Sequence, residues 1–434
     1  INMSTPSKTV AFYTLGCKLN FSETSSISRD FISSGFKKVS YSESADFYVI
    51  NTCSVTENAD KEAKKLIRQA KKRNPESKVV IIGCYAQLNP KEISLIDGVD
   101  LVLGAEEKFN IIKHLDKINF NISKTSIFQT QIKNIKDFTP SFSHGERTRS
   151  YLKVQDGCDY TCSFCTIPLA RGGSRSDTIK RTKDIAKKIS ITNVREIVLT
   201  GVNIGDYGKG TSENFLDLIM ELDTLNDIDR IRISSIEPNL LTDEIIKFCF
   251  SSNKFTPHFH IPLQSGSNKI LKKMRRRYSV EKYSERIKFI KSLDSSACIG
   301  VDVIVGFPGE EEEDFLKTYE FLENLDVSYL HVFTYSERAN TDALHLKQVI
   351  PKHIRAIRSK ALRALSETKK KSFYEKSLQT KKNVLFESYK NGELFGHSDN
   401  YIKVMAPGPK NFINTIKGVE ISQNESTHVK GQLI

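Results

Sequence analysis

The sequence predicts an α/β chain in three parts: an open parallel sheet, a partial barrel of six β/α units and a small all-β barrel. Short apolar runs rich in β-branched residues alternate with helical patterns over residues 8–350, which is typical of parallel sheets. After residue 382 the pattern changes to short strands separated by turn residues. The 434 residues suit several domains. We predict a first domain at 1–125, a linker at 126–147, a second domain at 148–372 and a third at 373–434.

Three strands in the first part each run into a cysteine, namely Cys17, Cys53 and Cys84. The carboxyl ends of parallel strands meet at one edge of a sheet, where ligands bind. Three thiolates at that edge can hold a 4Fe–4S cluster with one open iron. Buried, inert cysteines are the alternative interpretation. The predicted strands are Thr9–Thr14, Phe47–Thr52, Val79–Gly83 and Val99–Gly104, and the helices are Ser22–Ser34 and Ala59–Arg73.

Six strand candidates alternate with helical segments in the second part. Six units are too few for a closed eight-stranded barrel, so we predict a partial barrel with one open side. Polar residues and glycines follow the strands, as they should where a site forms at the carboxyl ends. The strands are Tyr151–Val154, Glu196–Thr200, Arg230–Ser234, His258–Pro262, Val301–Val305 and Tyr329–Thr334.

Three further cysteines, Cys158, Cys162 and Cys165, stand within eight residues, directly after the first of these strands. A cluster normally takes four protein thiolates, so three leave one iron free for a small molecule. A zinc knuckle is the alternative, but zinc prefers four ligands and the nearby sequence offers no fourth Cys or His. The octapeptide resembles the signature of the radical S-adenosylmethionine (SAM) enzymes, in which the open iron chelates SAM. Cys249 and Cys298 have apolar neighbours in sequence and are predicted to be core residues.

The net charge is +13, with 65 Lys and Arg against 52 Asp and Glu. This excess favours a polyanionic partner, with nucleic acid first, although a merely basic surface is the alternative. Basic residues concentrate on two predicted helices, Lys61–Arg73 and Pro351–Lys382. No apolar run approaches the roughly 18 residues that span a membrane, and no secretory signal is visible. Eight cysteines do not form a disulfide scaffold, so we predict a cytoplasmic protein without a membrane partner.

From about residue 8 to 434 the chain is similar to the methylthiotransferases. That family has an N-terminal three-cysteine domain, a radical SAM core and a C-terminal TRAM barrel, an RNA-binding module; a barrel that only packs on the core is the alternative. The motifs are most similar to the branch that modifies threonylcarbamoyladenosine in tRNA. The chain departs from that branch at Gly173 and Ala339, where Arg and Pro are usual. The matching segments are Leu152–Tyr160, Thr166–Gly172, Tyr335–Arg338 and Gly396–Tyr401.

The resemblance implies a set of site residues at the positions that match the family. Cys158, Cys162 and Cys165 would hold the cluster that binds SAM, and the three N-terminal cysteines would hold an auxiliary 4Fe–4S cluster. The run Arg275–Arg277 contacts SAM or phosphate, or else is a solvated charge run. SAM contacts are implied at Thr200, Gly201, Asn203, Ser235, Glu237, Gln264, Asp302, Ile304, Gly306 and Phe307. RNA contacts are predicted at Lys61, Lys65, Arg68, Arg171, Arg175, Arg355, Arg358 and Arg363.

The reaction that the resemblance implies is insertion of a methylthio group at C2 of threonylcarbamoyladenosine, next to the tRNA anticodon. A radical made from SAM removes the hydrogen at C2, the auxiliary cluster carries the sulfur, and a second SAM supplies the methyl group. The implied partners are the tRNA anticodon arm, a flavodoxin- or ferredoxin-like electron donor and a sulfur donor. Alternatives within the family are isopentenyladenosine and a ribosomal-protein aspartate. An alternative outside the enzymes is a non-catalytic RNA-binding iron–sulfur sensor.

Overall fold

The structure is a computed structural model that describes residues 7–54, 57–118, 124–144 and 148–434. It confirms the predicted three-part α/β architecture. The first part is a six-stranded parallel sheet in the order β2-β1-β3-β4-β5-β6. Its strands are β1 (Thr9–Thr14), β2 (Lys37–Val39), β3 (Phe47–Thr52), β4 (Lys78–Gly83), β5 (Leu101–Leu103) and β6 (Ser126–Phe128). Its helices are α1 (Lys18–Ser33), α2 (Glu57–Arg73), α3 (Cys84–Leu88), α4 (Pro90–Ser94) and α5 (Ile111–Lys117).

The linker prediction for residues 126–147 is wrong at its start, because residues 126–128 form β6 and pair with β5. Further along, Ser141 is buried and its hydroxyl lies 3.1 Å from that of Ser22 on α1. Phe142 forms a bridge with Leu152 of the second domain. Strand pairing and burial therefore hold a segment whose sequence has little periodicity, and residues 145–147 lie outside the described part.

The second part contains all six predicted strands, arranged in chain order around a partial barrel. Two three-stranded groups are joined by parallel bridges, Ile231 to Phe255 and Ser235 to His260. The barrel strands are β7 (Arg149–Lys153), β10 (Glu196–Thr200), β11 (Arg230–Ile233), β12 (His258–His260), β13 (Cys298–Val305) and β14 (Tyr329–Thr334), and β8 (Gln155–Asp156) pairs separately with β9 (Arg175–Ser176). The helices are α6 (Ile167–Arg171), α7 (Ile179–Ser190), α8 (Phe215–Asp223), α9 (Asp243–Ser251), α10 (Asn268–Lys273), α11 (Val280–Leu293), α12 (Glu312–Asn324) and α13 (Lys352–Glu375).

Side chains of the barrel strands alternate between two environments. Ile231 and Ile233 of β11 belong to the large apolar core under the helices. Their neighbours Arg230 and Arg232 are equally buried but polar, and they contact charged groups of other strands. This period of two places one side of each strand against the helices and the other in the barrel interior. The interior, called the lumen below, is therefore polar.

The third part is a closed barrel in the order β15-β16-β17-β19-β18, as in a TRAM-like domain. Its strands are β15 (Lys381–Lys390), β16 (Glu393–Ser398), β17 (Lys403–Pro407), β18 (Ile416–Asn424) and β19 (Val429–Leu433). The predicted helix Pro351–Lys382 is too long, because Lys381 already pairs with Glu420 in the barrel. Among the described residues no helix is long and apolar enough to cross a membrane.

Candidate cofactor and substrate site

The loop with Cys158, Cys162 and Cys165 lies at the carboxyl end of the partial barrel, after β7 and β8. The backbone N–H of Tyr160 donates to the Cys158 Sγ at 3.4 Å, and Arg276 Nη1 donates to the Cys162 Sγ at 3.2 Å. Burial raises the pKa of Cys158 to about 11 and that of Cys165 to about 12. Thiols in such surroundings become thiolates when a metal neutralises them, so the loop fits a cluster.

The residues predicted to contact SAM all lie in the carboxyl halves of β10–β13 or just beyond them. Glu237 forms an ion pair with Arg276, the same residue that contacts Cys162. The buried Asn203 Oδ1 and Gln264 Oε1 have no hydrogen-bond partner among the described residues. Unpaired buried acceptors suit a ligand with N–H or O–H groups, as SAM has. Contact with SAM stays a prediction for these ten residues, because their position alone does not test it.

Two of these ten predicted SAM contacts also make contacts within the protein. Phe307 is fully buried and packs edge-on against Phe164 of the cysteine loop, with ring centroids 6.3 Å apart. Asp302 accepts a hydrogen bond from His260 at 2.8 Å and lies 3.4 Å from His331. Burial opposes ionisation, but the two imidazoles outweigh it and hold the pKa of Asp302 well below its usual range.

The N-terminal cysteines occupy the carboxyl ends of adjacent strands, as predicted. Strand β1 pairs with β3 and β3 pairs with β4, so Cys17, Cys53 and Cys84 follow neighbouring strands. Gly16 packs so closely on Cys53 that a Cβ at Gly16 would lie 2.8 Å from the Cβ of Cys53. Gly83 has a φ of +98° and sits directly before Cys84. The edge therefore presents three thiols, two of which directly follow a glycine, and it fits a second cluster.

A buried ionic cluster connects the two cysteine groups. Arg171, at the end of α6 beyond Cys165, donates to Glu23 Oε1 at 3.0 Å and to Asn20 Oδ1 at 2.6 Å. Asn20 Nδ2 in turn donates to the carbonyl oxygens of Leu15 at 2.9 Å and Thr52 at 3.2 Å, in the turns before Cys17 and Cys53. The two cysteine-bearing turns and the helix after the radical SAM loop are thus fixed relative to one another.

Four cations surround the two carboxylates of this ionic cluster. Glu23 binds Lys108 at 2.6 Å and Lys153 at 3.0 Å, in addition to Arg171. Asp156 binds Lys153 at 2.6 Å, Arg171 at 3.0 Å and Arg175 at 3.3 Å. Burial would raise the pKa of Glu23, but attraction to Arg171, Lys108 and Lys153 outweighs it and holds that pKa far below its usual value. The positive excess suits a position between two anionic clusters.

The floor of the lumen is formed by charged residues at the starts of the strands. Arg232 forms a bidentate pair with Glu196 at 2.8 and 3.1 Å, and Arg149 contacts Glu387 of the C-terminal barrel at 2.7 Å. The third domain therefore reaches the lumen of the second.

Four of the predicted RNA contacts are wrong, because ion pairs and hydrogen bonds inside the protein engage these arginines. Arg171 binds Glu23 and Asp156, as described above. The side chain of Arg355 is 3% exposed and pairs with Glu337, and that of Arg358 is 6% exposed and pairs with Glu310. Arg175 donates to three backbone carbonyls and to Asp156. The remaining four, which are exposed and stay predictions, are Lys61, Lys65, Arg68 and Arg363.

Sequence reasoning missed the ionic cluster, although part of the signal is visible in the sequence. Leu19, Glu23 and Ile27 follow one another at helical spacing, so Glu23 lies on the buried face of α1. Lys153 and Asp156 flank the end of the strand that leads to Cys158. The run Arg275–Arg277 was predicted either to contact a ligand or to be a solvated charge run. Arg276 is buried beside Cys162, and the guanidinium of Arg277 stacks on the Tyr160 ring at 3.8 Å. Cys249 and Cys298 are buried in the core, as predicted.

Two family models match the chain, and they cover the two cysteine-bearing domains. The family described as "Uncharacterized protein family UPF0004" matches residues 9–104, which include the three N-terminal cysteines. The Radical SAM superfamily matches residues 152–322, which include the three-cysteine loop and strands β10–β13.

Similar proteins span almost the whole chain. The threonylcarbamoyladenosine tRNA methylthiotransferase MtaB of Bacillus subtilis (strain 168) is 38% identical, covering 98% of this chain and 96% of the relative. The tRNA-2-methylthio-N(6)-dimethylallyladenosine synthase of Endomicrobium trichonymphae is 31% identical, covering 97% of this chain and 99% of the relative. Among solved structures, the radical SAM methyltransferase TsrM of Kitasatospora setae, with cobalamin and a [4Fe-4S] cluster bound, has a TM-score of 0.55 at 13% identity. That match covers 78% of this chain and 74% of TsrM, and it shows a likeness of fold alone.

Proposed function

The chain belongs to the methylthiotransferase family of radical SAM enzymes, and we propose on this basis that it adds a methylthio group to C2 of threonylcarbamoyladenosine beside the tRNA anticodon. It is a transferase that uses SAM and two 4Fe–4S clusters. The observation that carries the proposal is the placement of two cysteine triads at the carboxyl ends of two adjoining sheets, linked by Arg171, Asn20 and Glu23. When bound, the cofactors supply the radical, the sulfur and the methyl group.

The protein's own residues hold and orient these groups. The triad Cys158, Cys162 and Cys165 would hold the cluster that binds SAM, and Arg276 donates to one of its sulfur atoms. The N-terminal triad would hold the cluster that carries sulfur. A C–H bond at C2 has no useful acidity, so removal of a hydrogen atom by a radical suits it better than proton transfer to a side chain. The lumen of the partial barrel has polar walls.

Membership of the family does not specify the RNA element that is bound, the electron donor or the sulfur donor, and these three are proposals. We propose that the anticodon arm of tRNA is the RNA element bound, since the modified base lies beside the anticodon, and that this base is extruded into the lumen. A small flavodoxin- or ferredoxin-like protein would deliver the electron, and a separate donor would supply sulfur. Because tRNA is the substrate, we propose that the enzyme works in the cytoplasm.

Anaerobic reconstitution of the wild-type protein and of the triple variant Cys17→Ala, Cys53→Ala, Cys84→Ala tests this function. The wild type should bind about eight irons per chain, by the two-cluster count, and convert threonylcarbamoyladenosine in tRNA to its methylthio form. The triple variant should bind about half the iron, still cleave SAM and make no methylthio product. Iron is measured colorimetrically, and 5′-deoxyadenosine and nucleosides by mass spectrometry.

Cys249→Ala is the matched control, because Cys249 is a buried core cysteine outside both triads. It should keep both iron and product. Zinc in place of iron would contradict the assignment. Product formed on isopentenyladenosine and not on threonylcarbamoyladenosine would show that the substrate is the one named for the Endomicrobium relative. No 5′-deoxyadenosine under strong reductant would favour a non-catalytic sensor.

A further inference from the structure

Arg276 is held against the cysteine loop by the backbone of its own segment. Ser163, the residue after Cys162, makes two hydrogen bonds to this segment. Its hydroxyl donates to the carbonyl oxygen of Lys273 at 2.8 Å, and its backbone N–H donates to that of Met274 at 3.2 Å. Both carbonyls lie within three residues of Arg276 in sequence. The place of Arg276 beside the loop is therefore fixed by main-chain groups and does not depend on its own side chain.

The guanidinium group of Arg276 is fixed as well, because each of its three nitrogen atoms has a different acceptor. Nε donates to the Tyr278 hydroxyl at 3.1 Å, Nη1 donates to the Cys162 Sγ at 3.2 Å, and Nη2 pairs with the carboxylate of Glu237. The Tyr278 hydroxyl in turn donates to two backbone carbonyls at 2.8 and 2.9 Å. The side chain of Arg276 is 5% exposed and that of Glu237 is 15% exposed. The contact between this cation and the sulfur atom is therefore built into the fold.

Two sulfur atoms of the loop accept hydrogen bonds of different kinds. The Cys158 Sγ accepts from the backbone N–H of Tyr160, which is neutral, whereas the Cys162 Sγ accepts from a charged guanidinium. Hydrogen bonds with a charged donor are roughly twice as strong as those between neutral groups. A ligand sulfur carries more negative charge after its cluster has taken up an electron. The contact with Arg276 is therefore stronger in the reduced state of a bound cluster than in the oxidised state.

Resting on the proposed function, we propose that Arg276 raises the reduction potential of the cluster in the cysteine loop and that Glu237 limits this rise. The step concerned is the uptake of one electron by the oxidised cluster from a reducing redox protein, before SAM is cleaved. Hydrogen bonds to the ligand sulfurs and the charge around a cluster set its potential. The cation against the sulfur favours the added electron, and the paired carboxylate opposes it. Arg276 acts through a cluster ligand, so it is a positioning residue and not a catalytic one.

Redox titration of the reconstituted, SAM-free enzyme, followed by electron paramagnetic resonance, measures this potential. Arg276→Gln should lower the ratio of reduced to oxidised cluster about tenfold at a fixed ambient potential, the size of one charge-assisted hydrogen bond and equal to about 59 mV for one electron. Glu237→Gln should raise the potential, because it leaves the guanidinium unpaired. The double variant should lie between the two single variants. An ion pair that only held the fold together would not shift the potential in opposite directions when either partner is removed.

Arg286→Gln is the matched control, because Arg286 is a largely buried arginine that pairs with Asp243 and joins α11 to α9. It should leave the potential unchanged. Every variant should keep the iron content of the wild type. The same shifts should appear in the triple alanine variant of the N-terminal cysteines, which keeps only the loop cluster, and this assigns them to that cluster.

Equal potentials in wild type and Arg276→Gln, or shifts of the same sign in both single variants, would overturn the proposal. Unchanged potentials with weaker SAM binding by Arg276→Gln, measured by equilibrium dialysis, would assign the arginine to the SAM carboxylate and overturn it too. If Arg276→Gln loses its iron, Glu237→Gln decides: a raised potential supports the proposal and an unchanged one contradicts it. If wild-type enzyme makes the methylthio product and the potentials do not move, the inference fails and the function stands; if the wild-type loop takes up no 4Fe–4S cluster, both fail.

Discussion

Glu23 is a buried carboxylate that organises the site without taking part in its chemistry. Its side chain is fully buried, and its two oxygens accept from Lys108, Lys153 and Arg171 at 2.6–3.1 Å. These cations come from the first domain, from β7 and from α6. Without the carboxylate, Asp156 alone would balance them. Three buried cations would then be under-compensated, which is far more costly than loss of an exposed pair.

Glu23→Gln should therefore lower the free energy of unfolding by about 3–5 kcal/mol, although the side chain keeps its size. Urea unfolding followed by circular dichroism measures this. The pKa of Glu23 is depressed in the folded protein, so its contribution is present above the unfolded value of 4.5 and is lost as pH falls towards the folded pKa. The difference between wild type and variant should accordingly be constant near neutral pH and shrink steadily as the pH falls below about 4.5.

Glu62→Gln is the control, because Glu62 forms an exposed pair with Lys65 at 3.3 Å. It should cost no more than about 1 kcal/mol. Equal, small losses for the two variants would show that the buried cluster does not stabilise the fold. A large loss for Glu23→Gln that stays constant into strong acid would contradict the depressed pKa.

At the scale of elements, the strands and the cysteines at their ends follow from local pattern, whereas charge burial does not. Strand β3 is buried along its whole length and is apolar except for its last two residues, so its sequence is distinctive. Arg355 and Arg358 were misjudged because a run of cations on α13 resembles a solvated face. Yet they share the face of Leu362 and Leu365, at spacings of three and four, and that face is buried. These two arginines are buried in spite of their charge, because each guanidinium forms an ion pair with a carboxylate.

The partners of buried charges lie too far away in sequence for any local pattern to indicate them. Glu23 and Arg171 are 148 residues apart, and Arg230 and His397 are 167 apart. Both contacts join different domains, and they depend on how those domains pack.

Gly83 provides the test of how the turns position the N-terminal cysteines. Its φ of +98° is unfavourable for other residues, and a Cβ there would collide with the carbonyl oxygen of Thr52. Gly83→Ala should therefore displace Cys84 and the turn before Cys53, and the reconstituted variant should lose about half of its iron by the two-cluster count. SAM cleavage should persist while methylthiolation falls. Iron analysis and product mass spectrometry measure the two effects.

Gly35→Ala is the matched control for the backbone effect. Gly35 has a φ of +87°, but a Cβ there would meet no atom within 4 Å. This variant should lose a little stability, about 1 kcal/mol, and keep its iron. Iron loss in both variants would indicate general unfolding, and full iron in Gly83→Ala would show that the turn tolerates the displacement.

For the whole molecule, the first and third domains pack on different parts of the partial barrel. The C-terminal barrel closes the floor, where Arg149 meets Glu387 and Arg232 donates to the carbonyl of Asp399. The first domain packs on β7, the opposite edge from β14, and a second contact joins Arg338 to Asp60 at 2.9 Å. Along β14 lies a groove of about 670 Å³, lined in part by His331, Phe333, Lys360 and Arg363. Phe333 is 41% exposed there and offers a stacking surface for a base.

The groove predicts where RNA phosphates bind. Lys360→Gln and Arg363→Gln should each weaken binding of every anticodon stem-loop alike, whatever its target base, because a phosphate contact carries no base information. Each should also lower the slope of log affinity against log salt by roughly 0.7–1, the release of about one counterion. Anisotropy titrations at several salt concentrations measure both the affinity and the slope.

Lys187→Gln is the control, because Lys187 is an exposed lysine in the last turn of α7, and it should leave the slope unchanged. An unchanged slope in the groove variants would place the RNA elsewhere, with the exposed lysines of α2 as the next surface to test.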